Sequence, residues 1–86
     1  MLNQVVLVGK AVGVSLKISE ERLSSSVTME IERSFRNPGG DYEKDYLEVK
    51  LTRELAEQIK LGALVGIKGR LTPDSIVAEK VSILGV

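Results

Sequence analysis

Cysteine and histidine are absent from this 86-residue sequence, and aromatic residues are reduced to three, Phe35, Tyr42 and Tyr46. Without cysteine there is no disulfide, no thiolate nucleophile and no thiolate metal ligand. Without histidine, the usual neutral-pH proton carrier and the commonest zinc ligand are missing as well. With so few rings, the core must be built from Val, Leu and Ile, a composition that favours strands. An excess of either charge is also lacking: 12 basic and 12 acidic side chains cancel. Nucleic-acid binders are usually basic, but a local basic groove is compatible with a neutral total. No apolar run approaches the ~20 residues of a membrane-spanning helix, and no signal peptide is recognisable. The cytoplasm is therefore the expected compartment.

A chain of this length suits one domain, residues 1–86. Residues 5–8, Val-Val-Leu-Val, are solidly apolar, and Val12, Val14, Leu16 and Ile18 then alternate with Gly13, Ser15 and Lys17. This predicts a long first strand with a period of two. Gly9 and Gly13 predict a bulge or sharp bend within it. Glu20 to Ser26 is polar and predicts a turn. In the second strand, Val27, Met29 and Ile31 face one way and Thr28, Glu30 and Glu32 the other. Asn37-Pro38-Gly39-Gly40-Asp41 is a loop. The third strand turns Leu47, Val49 and Leu51 inward and Tyr46, Glu48, Lys50 and Thr52 outward.

Then the period changes. Thr52 is placed to cap a short helix with Glu54 in its first turn. Leu55, Ala56 and Ile59 share its face, and Gly62 is expected to close it at C′. A fourth strand is expected over 63–71, a tight turn at Thr72-Pro73-Asp74-Ser75, and a fifth strand over 76–84. Three strands, a short helix and two strands is the order of the five-stranded oligonucleotide-binding (OB) barrel, so an all-β fold with one short helix, β-β-β-α-β-β, is expected.

Several segments, in order, resemble the bacterial single-stranded-DNA-binding protein family. They are Met1-Leu2-Asn3 with the apolar run to Gly9-Lys10, Val27 to Phe35 with Arg33 and Phe35 two apart, and Asp45-Tyr46-Leu47. Leu55-Ala56-Glu57, Gly62 to Leu71 and Val77-Ala78-Glu79-Lys80-Val81 complete the set. The resemblance implies non-sequence-specific binding of single-stranded DNA in replication, recombination or repair, with no cofactor. It implies a bacterial, phage or mobile-element source. Of four stacking positions typical of the family, it keeps two as Phe35 and Tyr46, places Thr52 at a third and loses the fourth with a shortened hairpin. That shortening, at Thr72–Ser75, implies a smaller DNA footprint. The sequence shows no acidic C-terminal tail of the kind the family uses to recruit partners.

Binding a strand without reading its sequence requires rings for bases and cations for phosphates. Tyr46 is the leading ring, since alternation turns it outward. Phe35 shares parity with the core face of its strand, and Tyr42 sits by the glycine-rich loop. Lys10, Arg33, Arg36, Lys50, Lys68 and Arg70 are the candidate phosphate contacts. Glu30 and Glu32 face outward and repel phosphate. Leu2, Val5, Val6, Leu7 and Val8 are expected at a homo-oligomer interface, because an unbroken apolar run suits burial on both faces. A tetramer is favoured and a dimer is the alternative. No nucleophile with a base, metal-ligand set or phosphate-cradling loop is present, so no enzyme is expected. The rival reading is a protein-interaction or primosomal accessory OB module with weak DNA affinity.

Overall fold

The computed structural model describes residues 3–16 and 24–85. Five strands and one helical turn follow in the order β1 (Gln4–Ser15), β2 (Ser25–Arg36), β3 (Tyr42–Leu51), α1 (Arg53–Ala56), β4 (Leu64–Leu71) and β5 (Ile76–Gly85). The element order is the one expected from the sequence. Leu2 and Ile18 lie outside the described residues, as does the expected turn from Glu20 to Leu23; Ser25 and Ser26 belong to β2.

β1 joins two hairpins. It pairs antiparallel with β4 from Gln4 to Lys10 and with β2 from Lys10 to Ser15. β2 pairs with β3, and β4 with β5, each antiparallel. Asn37 organises the β2–β3 turn: its side-chain oxygen accepts from the Gly39 and Asp41 amides, each at 3.0 Å. Between β4 and β5, the Thr72 hydroxyl accepts from the Ser75 amide at 3.0 Å.

The expected five-stranded barrel needs correction where β3 meets β5. The strand order does return on itself, β1-β2-β3-β5-β4. However, β3 and β5 pair in parallel through only Val49–Ile76 and Lys50–Val77. The reason is where the strands end: β3 stops at Leu51 just as β5 starts at Ile76, so little length overlaps. The result is a curled, mainly antiparallel sheet pinched together at one seam, and not a barrel hydrogen-bonded evenly around its girth. On the far side of the sheet, residues 4–9 of β1 have β4 as a neighbour on one edge and no strand on the other, among the described residues.

The core lies inside the curl. Val27 and Met29 of β2, Val49 and Leu51 of β3, and Val65 and Ile67 of β4 are fully buried, with Ala11, Ala56 and Ala63 beside them. These are the inward positions that alternation assigns on β2, β3 and β4. On β1 the assignment changes. The register shifts between Ala11 and Gly13, so Val12 is an extra residue. A bulge flips facing beyond it. Ala11 is buried, Val12 is exposed, Val14 packs against the core, and Leu16 is exposed. The even-numbered face expected for this strand is therefore broken at Val12, while a bulge beside Gly13 was expected.

α1 starts where Thr52 was expected to cap it, with the hydroxyl accepting from the Leu55 amide at 3.4 Å. It ends at Ala56, with Glu57 as its C-cap. Gly62 is therefore not the C′ residue. It belongs to a later turn, where its φ of 86° is open to glycine and its amide donates to the Ala11 carbonyl at 2.8 Å.

Candidate nucleic-acid interface

β2 and β3 continue past the core as a two-stranded arm. Its register runs from Met29–Leu47 through Glu30–Tyr46 and Glu32–Lys44 to Arg36–Tyr42, with an irregularity between Glu32 and Arg36. That shift inserts extra residues on β2 in a pair, so alternation resumes unchanged and the two faces of the arm stay distinct.

One face carries Glu30, Lys44, Tyr46 and, further out, Arg36 and Tyr42. Tyr46 is 60% exposed, as its parity required. Lys44 Nζ lies 3.0 Å from Glu30 Oε1. Lys10, on β1, is the cross-strand neighbour of Glu30 on its other side. A row therefore runs Lys10–Glu30–Tyr46 across β1, β2 and β3. The hydrogen bond from Lys44 holds the Glu30 carboxyl below its ordinary range, with the charges of Lys44 and Lys10 and a hydrogen bond from Tyr46 acting in the same direction. Glu30 in turn raises Lys44. At the tip, the Arg36 guanidinium covers the Tyr42 ring.

The opposite face carries Arg33, while Phe35 lies in the irregular stretch before Arg36. Arg33 is clasped by its own carboxylates: Nη1 donates to Glu43 and Nη2 to Asp45 Oδ1 at 3.0 Å. The pairing raises Arg33 and lowers Asp45. Phe35 is 69% exposed, although its parity is that of the core face. The core ends before the arm reaches it.

The remaining candidates are distributed around the sheet. Lys50 is exposed on the Tyr46 face of β3. Lys68 and Arg70 are exposed on β4, beside Val6 and Gln4 of β1. Lys10, Lys50, Lys68 and Arg70 make no ion pair with another described residue. Arg70 also borders a groove of about 670 Å³ shared with Glu54 and Glu79 beside the seam. Thr52 is occupied as the α1 cap. Two cations were missed from the sequence, Lys44 and Lys80. Carrying the even-numbered outward parity of β3 back from Tyr46 finds Lys44. Lys80 faces Lys68 directly across β4 and β5, which only the register shows.

The apolar run on β1 does alternate in the folded chain. Val5 and Leu7 are half-buried, while Val6 and Val8 are 73% and 52% exposed. Val8 pairs with Gly66, and Leu84 of β5 packs over that glycine. Val6, Val8, Leu64 and Leu84 thus leave exposed apolar area around the β1–β4 junction.

Among the described residues, no group of three or more acidic side chains is placed to hold a metal ion. Nor, among these residues, is any helix long and apolar enough to cross a membrane.

No family model matches the chain. Single-stranded DNA-binding protein B of Bacillus subtilis is 37% identical over 90 aligned positions, covering 93% of this chain and 76% of that one. The chain spans about half the length of its streptococcal relatives, 56% for single-stranded DNA-binding protein 4 of Streptococcus agalactiae at 32% identity. Among solved structures, a small single-stranded DNA binding protein from Mycoplasma pneumoniae superposes with a TM-score of 0.67, at 23% identity over 98% of this chain and 96% of that one. The N-terminal domain of the PriB protein from Thermoanaerobacter tencongensis, described as dimeric, gives a TM-score of 0.60 at 26% identity over 98% of both chains. The identity to the Bacillus protein extends over most of both sequences, and the fold superposes on the solved structures over nearly its whole length: the chain belongs to the family of bacterial single-stranded DNA-binding proteins.

Proposed function

We propose that this protein binds single-stranded DNA without sequence preference, by stacking bases on exposed rings and holding phosphates with flanking lysines, and that it is not an enzyme. Tyr46 carries the reading. Its ring is exposed on a strand whose other face is core, and Lys44 and Lys50 lie two positions before it and four after it on the same face. An exposed ring gains little from folding, whereas each base stacked on such a ring contributes ~1–3 kcal/mol to binding. Membership of the family supports the same reading, and with it a role in replication, recombination or repair in a bacterial cytoplasm.

The site is assigned to Tyr46, Lys10, Lys50, Lys68 and Arg70, with Phe35, Arg33, Arg36 and the Glu30-paired Lys44 as contacts that need rearrangement or a strand reaching the other face. A titration of fluorescent oligo-dT at several salt concentrations tests it. Sub-millimolar affinity is expected, falling with salt at about −0.7 log units per log unit of salt for each neutralised phosphate. A salt-independent signal, or equal affinity for duplex, would remove the reading.

The protein is further proposed to act as a homo-oligomer, with a tetramer favoured over a dimer. Support comes from the edge of β1 at residues 4–9 that pairs with no strand among the described residues, and from the exposed Val6 and Val8 beside Leu64 and Leu84. A second reading, a primosomal accessory module with weak DNA affinity, is favoured by the likeness to the PriB domain and by the carboxylates that engage Arg33 and Lys44. Millimolar affinity together with a dimeric mass would select it.

A further inference from the structure

We infer that Glu30 is a specificity residue: by occupying Lys44 beside the Tyr46 ring, it makes the site reject polyanions that bring phosphate without a base to stack. The role rests on the proposed binding of single strands, and deepens it.

The geometry places a carboxylate where a phosphate would go. Glu30 sits between Lys10 and Tyr46 in one cross-strand row, and its Oε1 is 3.0 Å from Lys44 Nζ. Its side chain is 20% exposed and that of Lys44 46%, so the cation is the more open partner. Lys44 lies two residues before Tyr46 on the same strand face. A nucleotide stacked on Tyr46 would therefore bring its phosphate toward an ammonium that already has an anion. Such a phosphate must take Lys44 from Glu30 and sit near the carboxylate it displaces. A single strand offsets that cost with the stack on Tyr46. A duplex keeps its bases paired and cannot offset it, and inorganic polyphosphate has no base at all. Like-charge juxtaposition of this kind suppresses wrong partners more than it strengthens right ones. Glu48 provides the contrast. It lies on the same face of β3, two residues beyond Tyr46, and makes no ion pair with another described residue.

The test compares affinities of wild type, Glu30→Gln and Glu48→Gln for oligo-dT, for a duplex of equal length and for inorganic polyphosphate. Both substitutions change net charge equally. Glu30→Gln is expected to tighten duplex and polyphosphate roughly three- to tenfold more than dT, so that the preference for single strands falls by that factor. Glu48→Gln should leave the preference within about twofold of wild type. Lys44→Met removes the ion pair from the other side and leaves Glu30 with Lys10 alone as a neighbouring cation, so it should raise the preference. An unchanged preference in Glu30→Gln, or an equal fall in Glu48→Gln, overturns the role of Glu30 while leaving single-strand binding intact. Absence of dT binding by wild type and both Gln variants removes the proposed function and this role together. Should Glu30→Gln melt well below wild type, Lys44→Met decides, and a fall in its preference overturns the role.

Discussion

Arg36 of β2 lies over the ring of Tyr42 of β3, with the guanidinium carbon 5.2 Å from the ring centroid. The two are direct cross-strand partners at the tip of the arm. A contact of this kind at an exposed site contributes ~0.5–1 kcal/mol. It also uses up a cation and a ring that could each have met DNA. Of the exposed rings on this face, Tyr42 is covered by a neighbour and Tyr46 is the more open.

That difference separates the two tyrosines experimentally. Tyr46→Ala is expected to cost ~1–3 kcal/mol of oligo-dT affinity. Its effect on stability should be far below the ~3–5 kcal/mol of a truncated core aromatic. Tyr42→Ala should weaken binding less. Chemical denaturation alongside the titration checks both, and a Tyr46→Ala protein that unfolds early but binds normally would make the ring structural.

The exposed valines of β1 should control assembly. Val6→Glu combined with Val8→Glu replaces the apolar outer positions while leaving the half-buried Val5 and Leu7 in place. Light scattering on wild type should report a multiple of 9.4 kDa, and the double variant should shift toward that monomer mass. A wild-type monomer at micromolar concentration contradicts the assembly.

Two glycines hold strands at distances that no side chain permits. A Cβ on Gly69 would lie 2.2 Å from the Val77 carbonyl oxygen, and one on Gly9 would lie 2.4 Å from the Glu30 carbonyl oxygen. Both obstacles are backbone, so a strand must move. Gly69→Ala and Gly9→Ala should each destabilise by ~1–3 kcal/mol or more, the scale of overpacking. Urea melts will show it. An alanine at either position with wild-type stability would mean that the strands do not pack this closely in solution.

The Arg33–Asp45 pair makes the arm acid-sensitive. Arg33 lowers the Asp45 pKa in the folded chain below its ordinary value of 3.8. A depressed carboxylate contributes stability above the unfolded pKa and loses it as pH falls through the folded one. Hence the contribution is complete at neutral pH and fades in acid, below about pH 4. The pair is exposed, so salt should weaken it. NMR shifts of the arm followed by pH should move in that window in wild type and lose that step in Asp45→Asn.

How far the sequence disclosed this structure depends on which property is asked. Alternation over 27–31 and 47–51 placed the core faces of β2 and β3 correctly, because both strands are covered on one side only. It put Tyr46 outward for the same reason. It failed on β1, where a single added residue at Val12 flips facing; Gly13 announces an irregularity but not its phase. Phe35 shows a second limit: parity tells which side a residue is on, and only the extent of the core tells whether anything covers it. The partners of Arg33 were hidden because Glu43 and Asp45 come within its reach only through the pairing of β2 with β3 around the Asn37–Asp41 turn. The narrow seam between β3 and β5 follows from where two strands stop and start, which a pattern of apolar residues does not specify.

The partner change along β1 has a kinetic consequence. β2–β3 and β4–β5 are hairpins whose strands are neighbours in sequence, and each can form locally. β1 can meet β2 in the same local way, Ser15 against Ser26, but it must also close onto β4 from the far end of the chain, matching Gln4 to Arg70. Contacts between residues this distant in the chain close slowly, because the loop entropy is lost before the contact forms. The docking of β1 is therefore the expected rate-limiting step of folding. Until it occurs, β4 presents a bare edge, including the small Gly66 and Gly69, to any extended segment of another chain. Newly made copies at high concentration would then partition between closing on their own first strand and borrowing a neighbour's.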